Sequence, residues 1–363
     1  MKPSLIIRRG GILLSVRSLL LPATLSLLAG CSLGAGSSPT RSLSEFEDRL
    51  ERLRNDLRIP GMSAAIAHGQ RIAWARGFGY ANVEDSIPAA DSTAYHLASL
   101  TKTFASTVVM ELVETDQLNL EAPVADFGIV LPSSGEVRVK HLLTHTSEGD
   151  PGSAFAYNGD RFGLLDQVIW RSSGESFGQR LERLILRPLH LAHTAPNILT
   201  PSFRLAGLDP VAFRRNLAQG YSSDGITRLQ YPAHFGTAAG LIGSAKDVAQ
   251  YSMAIDRHAF LRPETQARIF TSTVSTRGDL LPYGLGWFVQ RIRGVRFQWH
   301  YGYWVGNSSL IIRVPDRGLV FVLLANSDGL SRTTSLGSGN LLSSPAAKAF
   351  LDAFIFGRAT FPD

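Results

Sequence analysis

One cysteine, Cys31, stands among 363 residues, which excludes disulfides, thiolate catalysis and cysteine-ligated zinc together. Lysine is nearly as scarce: five of the 36 basic residues, against 31 arginines. Charged residues make up 18% and hydrophobic ones 44%, too little charge for a disordered chain and enough apolar material for a large core. No Walker loop, no G-x-G-x-x-G after a strand and no G-x-S-x-G elbow occurs, which argues against nucleotide enzymes and alpha/beta-hydrolases. No arginine cluster interleaved with aromatics marks a nucleic-acid surface. His141 and His145 are four residues apart but lack the glutamate of H-E-x-x-H and any acidic cluster to complete a site, so neither metal nor cofactor is expected.

What is present begins with a leader. Lys2, Arg8 and Arg9 precede an apolar segment, Leu19 to Leu28, that Pro22 interrupts and that is too short to span a bilayer well. It ends in Leu28-Ala29-Gly30-Cys31, which resembles a bacterial lipobox. The resemblance implies a signal peptide over 1–30, a lipid on Cys31 and a periplasm-facing lipoprotein anchored to the membrane. Ser32 after the cysteine points to the outer membrane of a Gram-negative envelope. The leader holds Lys2, Arg8, Arg9 and Arg17 and no acid, so the formal charge of +6 falls to +2 without it. A basic chain here reflects targeting rather than an acidic partner. Residues 31–42, rich in Ser, Gly and Pro, read as a flexible tether.

The folded domain is expected over 43–358. Ser44 and Glu47 form a capping-box pattern for an amphipathic helix ending before Pro60-Gly61. Strands follow at Met62–Ala67 and Arg71–Gly77. Phe104, Val108, Val109, Leu112 and Val113 recur with a helical period, predicting a buried helix over Ser99–Leu118. Four more strands are predicted at Gly284–Gln290, Val295–His300, Ser308–Val314 and Leu319–Leu324, then a closing helix over Ser344–Phe356. Strands at both ends with helices between predict an α+β fold. One antiparallel sheet is built from about 43–96 and 283–358, with a mostly helical insertion over about 97–282 and a cleft between them.

Ser99-Leu100-Thr101-Lys102 carries the chemistry. A serine and a lysine three apart on a helix share a face and can meet as nucleophile and base. Alone the pattern is weak: each of the five lysines has a one-in-ten prospect of a serine three residues earlier, so chance supplies about half a match. A lysine that faces a partly dry cleft loses its charge more readily, and choosing lysine in an arginine-rich chain fits a group that must deprotonate.

An antiparallel sheet with an S-x-x-K helix beside a helical insertion resembles the serine beta-lactamase and penicillin-binding-protein fold. Phe78-Gly79-Tyr80-Ala81, Leu142-Leu143-Thr144-His145-Thr146-Ser147, Ala239-Gly240-Leu241 and Tyr283-Gly284-Leu285-Gly286-Trp287 resemble its class C branch, which includes family VIII esterases and D-stereospecific peptidases. The resemblance implies that Tyr157, in Phe155-Ala156-Tyr157-Asn158-Gly159, lies near Ser99 and Lys102 and relays a proton to the leaving group, with a neighbouring ammonium favouring its phenolate. It also implies that Trp299-His300-Tyr301-Gly302 is the substrate strand, with Gly302 allowing close approach of substrate backbone. The amides of Ser99 and Tyr303 would form the oxyanion hole. Two positions depart from the pattern. Gly159 replaces an asparagine that helps orient substrate, leaving Asn158 or Asp160 to compensate, and His300 replaces a lysine. A largely neutral histidine suits a carboxylate-bearing substrate less well than a permanent cation. Tyr301, Tyr303 and Trp304 are candidates for an apolar acyl pocket.

The expected activity is therefore hydrolysis of a small ester, amide or peptide through an acyl-enzyme on Ser99, as an esterase or D-amino-acid-type peptidase. A beta-lactamase or DD-carboxypeptidase is the alternative. A non-catalytic cell-envelope binding protein on the same fold is a second alternative, supported by Gly159 and opposed by the presence of Ser99, Lys102 and Tyr157 together.

Overall fold

The computed structural model describes residues 39–199, 207–357 and 359–361. The leader over 1–30, Cys31 and most of the tether lie outside them. Gly61–His68 (β1) and Arg71–Asn82 (β2) form a hairpin in which Gly69 adopts φ +59°, and Ile87–Pro88 (β3) extends its outer edge. Phe288–Ile292 (β6), Val295–Trp304 (β7), Asn307–Val314 (β8) and Leu319–Ala325 (β9) form an antiparallel meander. The two groups join where β1 pairs with β9, Met62 opposite Ala325 and His68 opposite Leu319. The result is a seven-stranded sheet in the order β3-β2-β1-β9-β8-β7-β6. Ala94–His96 (β4) and Ile242–Ser244 (β5) make a separate two-stranded pair.

Alternation along the strands divides the core in two. Met62, Ala64 and Ile66 of β1, Leu310 and Ile312 of β8 and Phe321 and Leu323 of β9 face α1 (Pro39–Asp56) and the C-terminal helix Pro345–Phe350. There Phe46, Phe321, Phe350 and Phe354 pack with ring centroids 4.9 to 5.8 Å apart. Ala65, Ala67, Ile311, Val322 and Leu324 face the opposite side, against the helix Ala245–Asp256 and α2 (Thr101–Glu114). α2 is buried on every side from Thr101 to Met110. That position removes Lys102 from water, and other polar side chains of the helix find partners inside the protein: Thr103 Oγ1 donates to Leu100 O (2.8 Å) and Thr107 Oγ1 shares a hydrogen bond with Tyr251 Oη (2.7 Å).

Several boundaries move for physical reasons. α1 starts at Pro39, so Ser44 and Glu47 lie inside the helix, and Glu47 instead accepts from Trp74 Nε1 (2.7 Å) and pairs with Arg76. Proline is favoured in a first helical turn because its missing N–H would be unpaired there anyway. Gly284 to Gly286 are not strand: Gly286 takes φ +85° and presses on the Ser106 side chain, where a Cβ would come within 2.6 Å. The expected Ser99 helix opens as a 3-10 turn, Ala98–Leu100, and α2 ends at Glu114.

Candidate active site

The segment before Ser99 is held from three sides. Leu97 N–H donates to Leu241 O at 2.8 Å, and Ser309 Oγ of β8 donates to Leu97 O at 2.7 Å. Thr101 Oγ1 donates to Ala98 O (2.7 Å) and accepts from Leu241 N–H (3.1 Å). Ala98 adopts φ +49°, a left-handed conformation that costs a non-glycine residue about 1 to 2 kcal/mol. These bonds hold it there and turn Ser99 outward, half-buried, at the start of α2.

Lys102 Nζ donates to Ser99 Oγ at 3.0 Å and to Ala238 O at 2.8 Å. Its side chain is fully buried, with Nζ 5.2 Å from the ring centroids of both Tyr157 and Phe162. Burial brings its pKa down from 10.5 to about 7, with Asp160 opposing the shift. The amine is therefore half-deprotonated near neutrality and within hydrogen-bond reach of the serine proton.

Tyr157 completes the convergence. Ala156 N–H donates to His145 O (2.8 Å), Asn158 N–H donates to His145 Nδ1 (3.1 Å), and the His145 ring lies 4.3 Å from that of Tyr157. Tyr157 Oη has no hydrogen-bond partner among the described residues, although Ser99 is the one neighbour that favours its ionised form. Burial, then Tyr301, push its pKa well above 10. The expected phenolate is thus corrected to a phenol: desolvation outweighs any help from the lysine, which itself sheds charge near pH 7.

The remaining candidates take different places. His300 is fully buried, with Nδ1 bonded to Tyr301 O (2.7 Å) and Nε2 to Tyr283 Oη (2.8 Å). Burial, reinforced by Lys102, drives its pKa down to about 3, so it is neutral. Donation from Nδ1–H to the carbonyl leaves Nε2 to accept from the phenol. Gly302 is packed against protein rather than open to substrate. A Cβ there would lie well under 3.0 Å from Ser309 Oγ and Leu97 O and 3.0 Å from Ala98 Cβ. The glycine lets β7 meet the backbone that carries Ser99, which corrects its expected role. Asn158 is likewise a structural group: its Oδ1 caps the helix Gly159–Gly163 by accepting from Arg161 N–H (2.9 Å), and its Nδ2 donates to Glu148. Tyr301 is half-buried beside Tyr157 (5.7 Å), and Tyr303, on the far side of Gly302 in β7, is 44% exposed. Trp304 stacks on His234 at 6.0 Å and lies 5.3 Å from His96. His141 and His145 each use Nδ1 to accept a backbone N–H, from Arg138 and Asn158.

A serine, a lysine with a lowered pKa and a phenol therefore meet at the end of a strand whose glycine fits against the serine's own turn. The sequence profile of the beta-lactamase family matches residues 46–338. The chain belongs to the beta-lactamase family. Protein flp of Staphylococcus aureus (strain N315) is 24% identical over 335 residues, covering 79% of this chain and 64% of that protein. A beta-lactamase from Providencia stuartii is 27% identical over 236 residues, covering 57% of this chain and 58% of that one. The chain spans less than two thirds of the length of these curated relatives. Among solved structures, an octameric penicillin-binding protein homologue from Pyrococcus abyssi superposes with a TM-score of 0.73 at 23% identity, covering 87% of this chain and 78% of that one. SurE with D-Leu superposes at 0.67 and 22%, covering 90% and 78%. These confirm the α+β fold of the beta-lactamase and penicillin-binding-protein group.

Within the family pattern, Gly159 leaves open space: a Cβ there would meet only Lys102 Nζ, at 3.9 Å. Sequence reasoning missed Ala238, because the group that holds Lys102 is a backbone carbonyl and every residue has one. It also missed Ser309, the second of two adjacent serines in β8, and the left-handed Ala98, which no side-chain pattern announces.

Proposed function

We propose that this protein is a serine hydrolase that forms an acyl-enzyme on Ser99 with a small ester or amide substrate, acting as an esterase or D-amino-acid-type peptidase. The observation that carries this reading is Lys102 Nζ, fully buried and 3.0 Å from Ser99 Oγ. Neutral Lys102 takes the proton of Ser99 as its oxygen attacks the substrate carbonyl, and the tetrahedral oxyanion forms facing the amides of Ser99 and Tyr303. The Tyr157 phenol, held protonated by burial, donates to the leaving oxygen or nitrogen and recovers a proton from Lys102 as that group departs. Water then attacks the acyl-enzyme by the same route in reverse.

Neutral His300 supports an ester or amide over a beta-lactam or peptidoglycan stem, because it offers no permanent cation for a substrate carboxylate. The leader pattern and Cys31 support a lipid-anchored protein facing the periplasm, from the outer membrane.

The test is a panel of p-nitrophenyl esters, D-aminoacyl amides including D-leucyl amide, a stem-peptide mimic and a chromogenic cephalosporin, with a fluorophosphonate probe alongside. Ester or D-amide turnover and labelling at Ser99, both lost in Ser99→Ala, are expected. Equal turnover in the variant removes Ser99 from the mechanism. Cephalosporin turnover exceeding all others makes the protein a beta-lactamase, and silence on every substrate and probe makes it a binding protein.

A further inference from the structure

Lys102 is aimed by two groups, and the second leads to a carboxylate outside the motifs. Ala238 O, which accepts from Lys102 Nζ, lies within a tight turn closed by Gly236 N–H to Ala239 O (2.9 Å) and Ala239 N–H to Gly236 O (3.3 Å). Asp166, in the first turn of the helix Leu165–Ser173, grips that turn from below. Both of its oxygens accept from Thr237 N–H, at 3.1 and 3.2 Å, while Thr237 Oγ1 donates to Phe162 O at 3.3 Å. The fit leaves no room for a side chain at Gly236, whose Cβ would stand 2.5 Å from Asp166 Oδ2. One side of the assembly is thus a half-buried carboxylate on a peptide N–H; the other, one residue along, is the carbonyl that fixes the amine.

We propose that Asp166 is a positioning residue: its carboxylate locks the 236–238 turn so that the Ala238 carbonyl directs Lys102 Nζ onto Ser99 Oγ. The inference rests on Ser99 acting as the nucleophile. A charged acceptor holds an N–H about twice as strongly as a neutral one, so removing the charge loosens the turn without deleting the contact. Burial raises the Asp166 pKa to about 6, while the Thr237 bonds and His234, on the loop that carries the turn, favour the carboxylate. Around Lys102 the corresponding groups are Asp160, which favours the ammonium, and the buried His145 and His300, both neutral. The alignment of the lysine thereby depends on a second proton, distinct from its own.

The experiment measures the rate at which a fluorophosphonate labels Ser99 in the full chain between pH 5 and 9, with thermal unfolding alongside, for the wild type, Asp166→Asn and Asp166→Ala. The wild type should lose rate in two steps on acidification, one near pH 7 from Lys102 and a further one near pH 6. Asp166→Asn keeps a carbonyl acceptor but no titrating proton, and should show only the step near pH 7. Asp166→Ala should label at least ~10-fold more slowly at pH 8, since misplacing a reacting group by a fraction of an ångström is costly. A merely structural aspartate would lower the unfolding temperature and leave the shape of the profile unchanged. Persistence of the lower step in Asp166→Asn, or a wild-type rate in Asp166→Ala, overturns the inference while leaving the nucleophile intact. Absence of labelling in the wild type at every pH overturns both.

Discussion

Gly302→Ala tests the geometric core of the site, because this glycine touches the nucleophile's turn and no part of the proposed reaction passes through its side chain. The added methyl would press on Ser309 Oγ and Leu97 O, both well under 3.0 Å away, and on Ala98 Cβ at 3.0 Å. Restoring ordinary contact requires β7 and the Leu97–Ala98 segment to part by about 1 Å, and overpacking of that kind costs about 1 to 3 kcal/mol. The strain has few outlets. Leu97 is tied to Leu241 and Ser309, Gly302 O accepts from Ser331 Oγ at 2.9 Å, and Ala98 is already in a left-handed conformation. A displacement of about 1 Å between Ser99 and the Tyr303 amide should slow acylation by about 100-fold. The assay pairs urea unfolding with the rate of fluorophosphonate labelling. Adding Ser309→Ala should not rescue the variant, because the Leu97 carbonyl still blocks the methyl. A Gly302→Ala protein of wild-type stability that labels at the wild-type rate would refute the argument that this close approach sets the serine.

Lys102 titrates near pH 7 as an ammonium losing its proton, so the kcat/KM of a neutral ester should rise with pH through about 7; Lys102→Arg, which stays charged, should lose about 100-fold or more, and a flat profile would show that another base acts. His96, His141 and His300 are held neutral by burial with pKa values of about 3, 4 and 3, and His145 also lies well below 6.5. The unfolded chain binds protons below pH 6.5 that the fold does not, so stability should fall with acid by about 1.4 kcal/mol per pH unit for each such histidine, visible as a steep loss of urea midpoint between pH 6.5 and 4.5. Asn158→Ala removes a helix cap and strands the Glu148 contact, and should destabilise by about 1 kcal/mol in denaturant titration; an unchanged midpoint would return Asn158 to the substrate side. Gly159→Asn meets no atom closer than 3.9 Å at its Cβ, so its unfolding temperature should stay within about 2 °C of wild type while the substrate panel shifts.

The strands were legible because period-two alternation and the turns at Gly69 and Pro315-Asp316-Arg317-Gly318 are local signals; β8 and β9 match within one residue at each end, while β7 runs on past His300 to Trp304. Element ends were less so: α1 begins at Pro39, ahead of the capping-box pattern, and the run from Gly284 to Gly286 is shaped by the backbone and Ser106 side chain it lies against. Of the site, the residue types and their order were readable, and Tyr157, far along the chain, does come to lie beside the Ser99–Lys102 turn. The chemical state of those groups was not. Tyr157 looks like a phenolate when only a neighbouring ammonium is considered and becomes a phenol once burial is known. Gly302 and Asn158 carry side-chain identities that suit a substrate, but their space and bonds are taken by Leu97, Ser309, Arg161 and Glu148.

By itself, then, the sequence determined the fold class, the sheet drawn from both ends of the chain, and the identities of the serine, the lysine and the tyrosine, because each is written in short-range patterns that survive without coordinates. Only the tertiary structure decided which of them carries charge, what aims the lysine, and that Gly302 is packed against protein. Desolvation, backbone carbonyls and steric fit arise from atoms brought together across more than a hundred residues, and no local pattern encodes them.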